Sequence, residues 1–262
     1  MTNYEYVKYE ELNKIEDSNF ISTLQKIKTD ISNSLSLIPD RINCINLLRS
    51  ICKFRVTYFF NFFWGIRFDF KKNCLDYKES PKLQQISLFF LNEILNNIYN
   101  EIPHGNINAF IFWVYESIYI YLKSSNNNLK IGAEKIIKEL AEKIPSEATI
   151  ISLIESVNEK NENILNFIFN CIELYFKEFI SYGLNFNFIF ERLEINNIIN
   201  DKDSKDYYLK IKKAFILLKK IIESEGVDIN SIFEGLDDIN KVILNELTYL
   251  NLSYFVYFQK SH

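Results

Sequence analysis

Residues 124–144 read SSNNNLKIGAEKIIKELAEKI, a bare polar turn that runs directly into a periodic apolar pattern. Leu129, Ala133, Ile136, Ile137, Leu140 and Ile144 are spaced by four, three, one, three and four residues. That spacing draws one stripe along a helix and leaves Lys135, Lys138, Glu139 and Glu142 on the opposite face. The glutamates there have lysines three or four positions away, so they read as a solvated face.

Outward from this stretch the same period repeats. PSEATIISLIESV (145–157) opens with Pro145 and Ser146, good chemistry for a helix start. NENILNFIFNCIELYFKEF (161–179) is apolar on more than one side and is expected to lie between neighbouring layers. Further helices are expected at 19–33, 39–54, 56–72, 81–100, 106–123, 183–199, 204–224, 227–235 and 238–250. Six Gly and four Pro are too few for the tight turns of a sheet protein, and strand alternation is missing. The fold class is all-α.

Composition narrows the function classes. With 24% charged residues the chain falls in the folded rather than the disordered range. The first residues, MTNYEYVKYEELNKIED, are charged throughout and do not form a signal peptide. The most apolar run, VTYFFNFFWGIRFDF (56–70), is broken by Asn61, Arg67 and Asp69 and falls short of the roughly 20 residues that span a bilayer. No membrane insertion is expected, and the expected compartment is the cytoplasm. Cys44, Cys52, Cys74 and Cys171 have no CxxC spacing and read as buried thiols. A net charge of −4 argues against nucleic acid as a general partner.

Little in the chain suggests catalysis. His104 sits between Pro103 and Gly105, the setting of a solvated turn histidine, and His262 is the last residue. Metal-binding, nucleophile-elbow and phosphate-loop motifs are absent. Neither an enzyme activity nor a cofactor or metal is expected. Trp64 and Trp113 lie in apolar helical stretches and read as core packing, and asparagine is too abundant to serve as a marker.

The polar connections carry more information. LIPDR (37–41), KESPK (78–82), NNNLK (126–130), NEKNE (158–162) and DKDSK (201–205) each precede the second helix of a pair. Their spacing of about 32 to 48 residues is close to that of HEAT and armadillo units. An α-solenoid of about five to six helical hairpins is expected, as one domain over 19–250. Residues 1–18 would form a helical extension and 251–262 a tail, with the segment from 233 closing the array.

The middle of the chain, IFWVYESIYIYLKSSNNNLKIGAEKIIKELAEKIPSEATIISLIESVNEKNENILNFIFNCIELYFKEF (111–179), resembles the TOG domains of the CLASP family. PDRINCINLLRSI (39–51) is similar to the opening element of those domains, and INDKDSKDYYLKIKKAF (199–215) to their fifth-repeat turn. Such domains are HEAT-repeat paddles that dock on tubulin along the turn edge. The resemblance therefore implies a cytoskeleton-associated protein that binds tubulin or microtubules, using basic and hydrogen-bonding groups on a rigid rail against an acidic partner. Carried over one position at a time, it implies contact residues Ile38, Asp40 and Arg41 in the first turn, and Ser80 and Lys82 in the second. Asn128 and Lys130 follow in the third, Lys160 and Asn163 in the fourth, and Lys205, Lys210 and Lys213 in the fifth. Ile38 stands where the family commonly has a tryptophan, and Asn163 where it often has an arginine. The alternative is a HEAT or armadillo scaffold for a different protein, using a concave face or the aromatic run 58–68.

Overall fold

The computed structural model describes residues 6–98, 104–195, 198, 205–228 and 235–248. Among these residues there are eleven α-helices and no strands. We label them α1 (Asp17–Ser32), α2 (Ile38–Phe54), α3 (Val56–Phe70), α4 (Pro81–Ile98), α5 (His104–Tyr119), α6 (Asn127–Lys143), α7 (Glu147–Glu155), α8 (Glu162–Phe179), α9 (Phe186–Arg192), α10 (Lys205–Glu225) and α11 (Asp238–Thr248). The periodic stripe of α6 is buried throughout, while Lys135 and Lys138 face solvent. The chain divides into two compact units, Met1–Leu140 and Ala141–His262.

Side chains in the polar turns start several helices by capping backbone N–H groups that lack an intrahelical acceptor. Ser80 Oγ accepts from Leu83 N at 3.2 Å at the start of α4. Asn126 Oδ1 accepts from Asn128 N at 3.0 Å before α6, and Asn161 Oδ1 from Asn163 N at 3.0 Å before α8. Asn185 does the same for α9 and Asp237 for α11. The asparagines of these turns therefore have a structural role that abundance alone conceals.

Three stretches depart from the helices expected. The α3 helix does not stop near 72 but continues through a π-helical turn, Lys71–Leu75, which leaves Asn73 buried. The helix expected over 183–199 is short. Gly183 is left-handed at φ 70°, α9 ends at Arg192, and Glu194 also has positive φ at 50°. Residues 6–16 form no helix apart from the 3₁₀ turn Tyr9–Glu11, where a helical extension is expected. Most of the helix expected at 227–235, and the tail 251–262, lie outside the described residues.

In the first unit α2 packs against α1, α3 and α4, and α1 also packs against α3. Its core is aromatic: the Phe63 ring lies 5.4 Å from Phe59 and from Phe70, 5.5 Å from Phe90 and 5.7 Å from Trp113. Alternate helices run parallel. Ser32 and Phe20 of α1 meet Asp69 and Tyr58 of α3 in the same order. Arg49 of α2 meets Glu93 of α4, and Asn96 of α4 meets Glu139 of α6. Gly132 lets α6 approach α4 closely, since a Cβ there would lie 3.2 Å from Leu88 Cδ1.

In the second unit α7 packs on α8 and α9, α8 on α10, and α11 on α9 and α10. Buried Tyr175 in α8 donates to Ser146 O at 2.9 Å ahead of α7. Phe190 of α9 meets Phe215 of α10 at 5.4 Å.

Candidate functional site

Side-chain hydrogen bonds join the α1–α2 connection, the α3–α4 connection and the 3₁₀ turn Ile120–Lys123 that follows α5. Arg41, fully buried, donates from Nη1 to Asn73 O at 2.6 Å and from Nη2 to Ser34 O at 2.7 Å. Its guanidinium also lies 4.5 Å from the Tyr77 ring centroid. Asn73 Nδ2 returns to Ile31 O at 2.8 Å. These bonds tie the α1–α2 connection to the α3–α4 connection. One step further, Tyr121 donates its hydroxyl to Leu75 O at 2.5 Å and also lies 3.0 Å from Asp76 Oδ1, while Gln84 Nε2 reaches the same hydroxyl at 3.4 Å. That ties the α3–α4 connection to the 3₁₀ turn Ile120–Lys123 that follows α5. Burial first, and the Asp76 carboxylate second, push the Tyr121 hydroxyl above its usual range, so it stays protonated and continues to donate.

This network changes the part that some expected contact residues play. Arg41 cannot serve as a contact for a partner: it is fully buried and its donors reach two backbone carbonyls. Ser80 is a buried helix cap rather than a contact. Ile38 and Asp40 are half-buried at the start of α2. Lys82 and Asn128 are exposed, and the side chain of Lys130 is 36% exposed with Nζ 3.8 Å from Glu134.

In the second unit Lys160 and Asn163 are exposed beside the start of α8. Lys210 Nζ lies 3.4 Å from Glu159 O and 3.5 Å from Asp206 Oδ2, so the α7–α8 connection meets the first half of α10. Lys205 is exposed, and Lys213 places Nζ 4.3 Å from the Phe169 ring centroid.

Sequence reading missed two residues of the first turn. Leu35 is 86% exposed and Leu37 68% exposed, and they flank the turn on which Arg41 closes. They were legible as apolar residues inside SNSLSLIP, set among serine and asparagine ahead of Ile38 and Pro39. Lys82, exposed, and Lys130, partly exposed, add basic groups at the starts of α4 and α6.

Among the described residues no group of three or more His, Cys, Asp or Glu side chains is placed to hold a metal ion. No described helix is long and apolar enough to cross a membrane. No model of a known protein family matches the chain, and neither does any curated protein.

Proposed function

We propose that this chain is a non-catalytic helical-repeat protein of the HEAT type that binds tubulin through its turn edge and helps to organise microtubules. The observation that carries the repeat is a register. The second helices of successive pairs meet at a nearly constant offset: Arg49 with Glu93 44 residues on, and Asn96 with Glu139 43 residues on. In the second unit Lys213 lies over Phe169 from 44 residues further along. An irregular bundle has no reason to keep this offset, whereas stacked hairpins of one length require it.

The tubulin reading rests on the resemblance together with the stitched turns of the first unit. Arg41, Asn73 and Tyr121 hold those turns rigidly, so docking costs little ordering entropy. Leu35 and Leu37 supply apolar contact, and Lys82 and Lys130 supply steering toward an acidic partner.

The test is co-migration with tubulin on size exclusion at low and moderate salt. Lys82→Glu combined with Lys130→Glu, and separately Leu35→Ser with Leu37→Ser, are expected to abolish the complex while the melting temperature holds. A complex that survives both pairs of changes rejects the turn edge, and no complex at low salt rejects tubulin. The alternative scaffold reading is favoured by Tyr58 and Phe68, 62% and 63% exposed on α3. It predicts a different protein partner, lost on Tyr58→Ser with Phe68→Ser.

A further inference from the structure

The segment before α1 is held in an unusual way. Three basic side chains at the end of α2 donate to its backbone carbonyls: Arg49 Nη1 to Val7 O at 2.5 Å, Lys53 Nζ to Tyr9 O at 2.7 Å, and Arg55 Nη2 to Ile15 O at 3.3 Å. Asn46 Oδ1 accepts from Val7 N at 3.4 Å. One side chain enters a formed slot. The Tyr6 ring lies 3.6 Å below the Arg49 guanidinium and 5.9 Å from the Phe89 ring, with its hydroxyl 3.3 Å from Glu93 Oε2.

The host face is built without the segment. Arg49 and Glu93 form a two-pronged ion pair at 2.5 and 2.8 Å, and Asn46 braces the same guanidinium at 3.0 Å. The segment itself buries little: Leu12 is its one buried residue, while Lys8, Glu10, Glu11, Asn13 and Lys14 are exposed.

We propose that this face of α2 and α4 is an exchangeable channel for a peptide with an irregular backbone and one 3₁₀ turn, which residues 6–15 fill in cis. Carbonyl-directed donors read backbone rather than side chains, and the slot between Arg49, Phe89 and Glu93 selects an aromatic residue, preferably one bearing a hydroxyl. Lys53 also faces the Tyr9 ring at 4.9 Å, so a second aromatic three positions on fits the same channel. The partner is therefore a segment of the same form with two aromatics spaced as in Tyr6 and Tyr9. The cis segment acts as a competitor, reducing apparent affinity by the fraction of molecules in which the channel is open. This inference does not depend on the tubulin reading.

The probe is a fluorescent decapeptide of residues 6–15, YVKYEELNKI, titrated into the full-length chain and followed by anisotropy. The full-length Tyr6→Ala, Leu12→Ala variant, whose own segment is loosened, is expected to bind the probe about tenfold tighter than the unmodified chain. Tyr6→Phe removes the hydroxyl alone, leaves the fold in place, and is expected to gain about threefold. Adding Lys53→Ala to either variant should weaken binding about fivefold, and a probe with alanine at its first position should not bind. The proposal is overturned if neither variant binds the probe better than the unmodified chain, or if binding ignores Lys53→Ala.

Discussion

Arg41 shows how a single side chain can serve the fold where sequence assigns it to a partner. Its guanidinium spans two carbonyls from different connections, a task suited to a planar fork and unsuited to a point charge. Arg41→Met leaves the buried Asn73 carbonyl and the part-buried Ser34 carbonyl without that donor and is expected to cost about 3 kcal/mol, read as a lowered urea midpoint. Arg41→Lys recovers little of the loss. Lys82→Glu, by contrast, stays within about 0.5 kcal/mol of the unmodified chain, because the side chain is exposed. Equal effects at the two positions would contradict the division between stitch and surface.

The thiols give a second prediction at this scale. Burial pushes Cys44, Cys52 and Cys74 up to about 12, with Asp30 adding to the effect at Cys44 and Glu93 at Cys52. An unfolded thiol titrates near 8.5, so between those values the folded chain holds more protons than the unfolded one. The stabilising contribution is complete below the unfolded value and is lost as pH rises through the folded one. The urea midpoint is therefore expected to be lower at pH 10 than at pH 8. At pH 8 these thiols should react with an alkylating reagent only as fast as the chain opens.

At the scale of the element, two glycines in helix interiors have opposite surroundings. A Cβ on Gly65 of α3 meets nothing within 4 Å, so Gly65→Ala is expected to stabilise by about 0.5–1 kcal/mol through helix propensity. Gly132 of α6 faces buried Leu88, and Gly132→Val forces α4 and α6 apart at a cost of about 1–3 kcal/mol. Thermal melts of the two variants, moving in opposite directions, check the approach of these helices. Most helices were legible because their period of 3.6 follows from which residues are buried, as in Leu129–Ile144. The π turn at Lys71–Leu75 was not. Its form goes with a tertiary demand, the placement of Asn73 against Arg41 and Ile31, which no local window contains. The turn edge divided in the same way. Turn positions could be read from polar clusters, but an arginine that turns inward looks like one that turns outward until its acceptors, seven and 32 residues away, are known.

For the whole molecule, the recurring 43–44-residue register and the division at Leu140 make a prediction that a single-core bundle does not share. In a stack of hairpins each element contacts its neighbours along the array, so stability sums over local interfaces and damage stays near its origin. Arg41→Met should therefore raise amide hydrogen exchange in α1 through α4 while leaving α8, α10 and α11 close to their rates in the unmodified chain. Tyr175→Phe, which removes the hydrogen bond to Ser146 O, is the reciprocal probe and should loosen α7 and α8 with little effect on α1 through α3. Exchange mass spectrometry at a denaturant concentration below the main transition resolves the two patterns, because local openings then compete with global unfolding. If each variant accelerates exchange evenly along the chain, the units unfold as one and the repeat reading fails. If the two patterns stay separate, the stitched turns of the first unit form a rail whose rigidity is set locally, by Arg41, Asn73 and Tyr121, and can be tuned without disturbing the second unit.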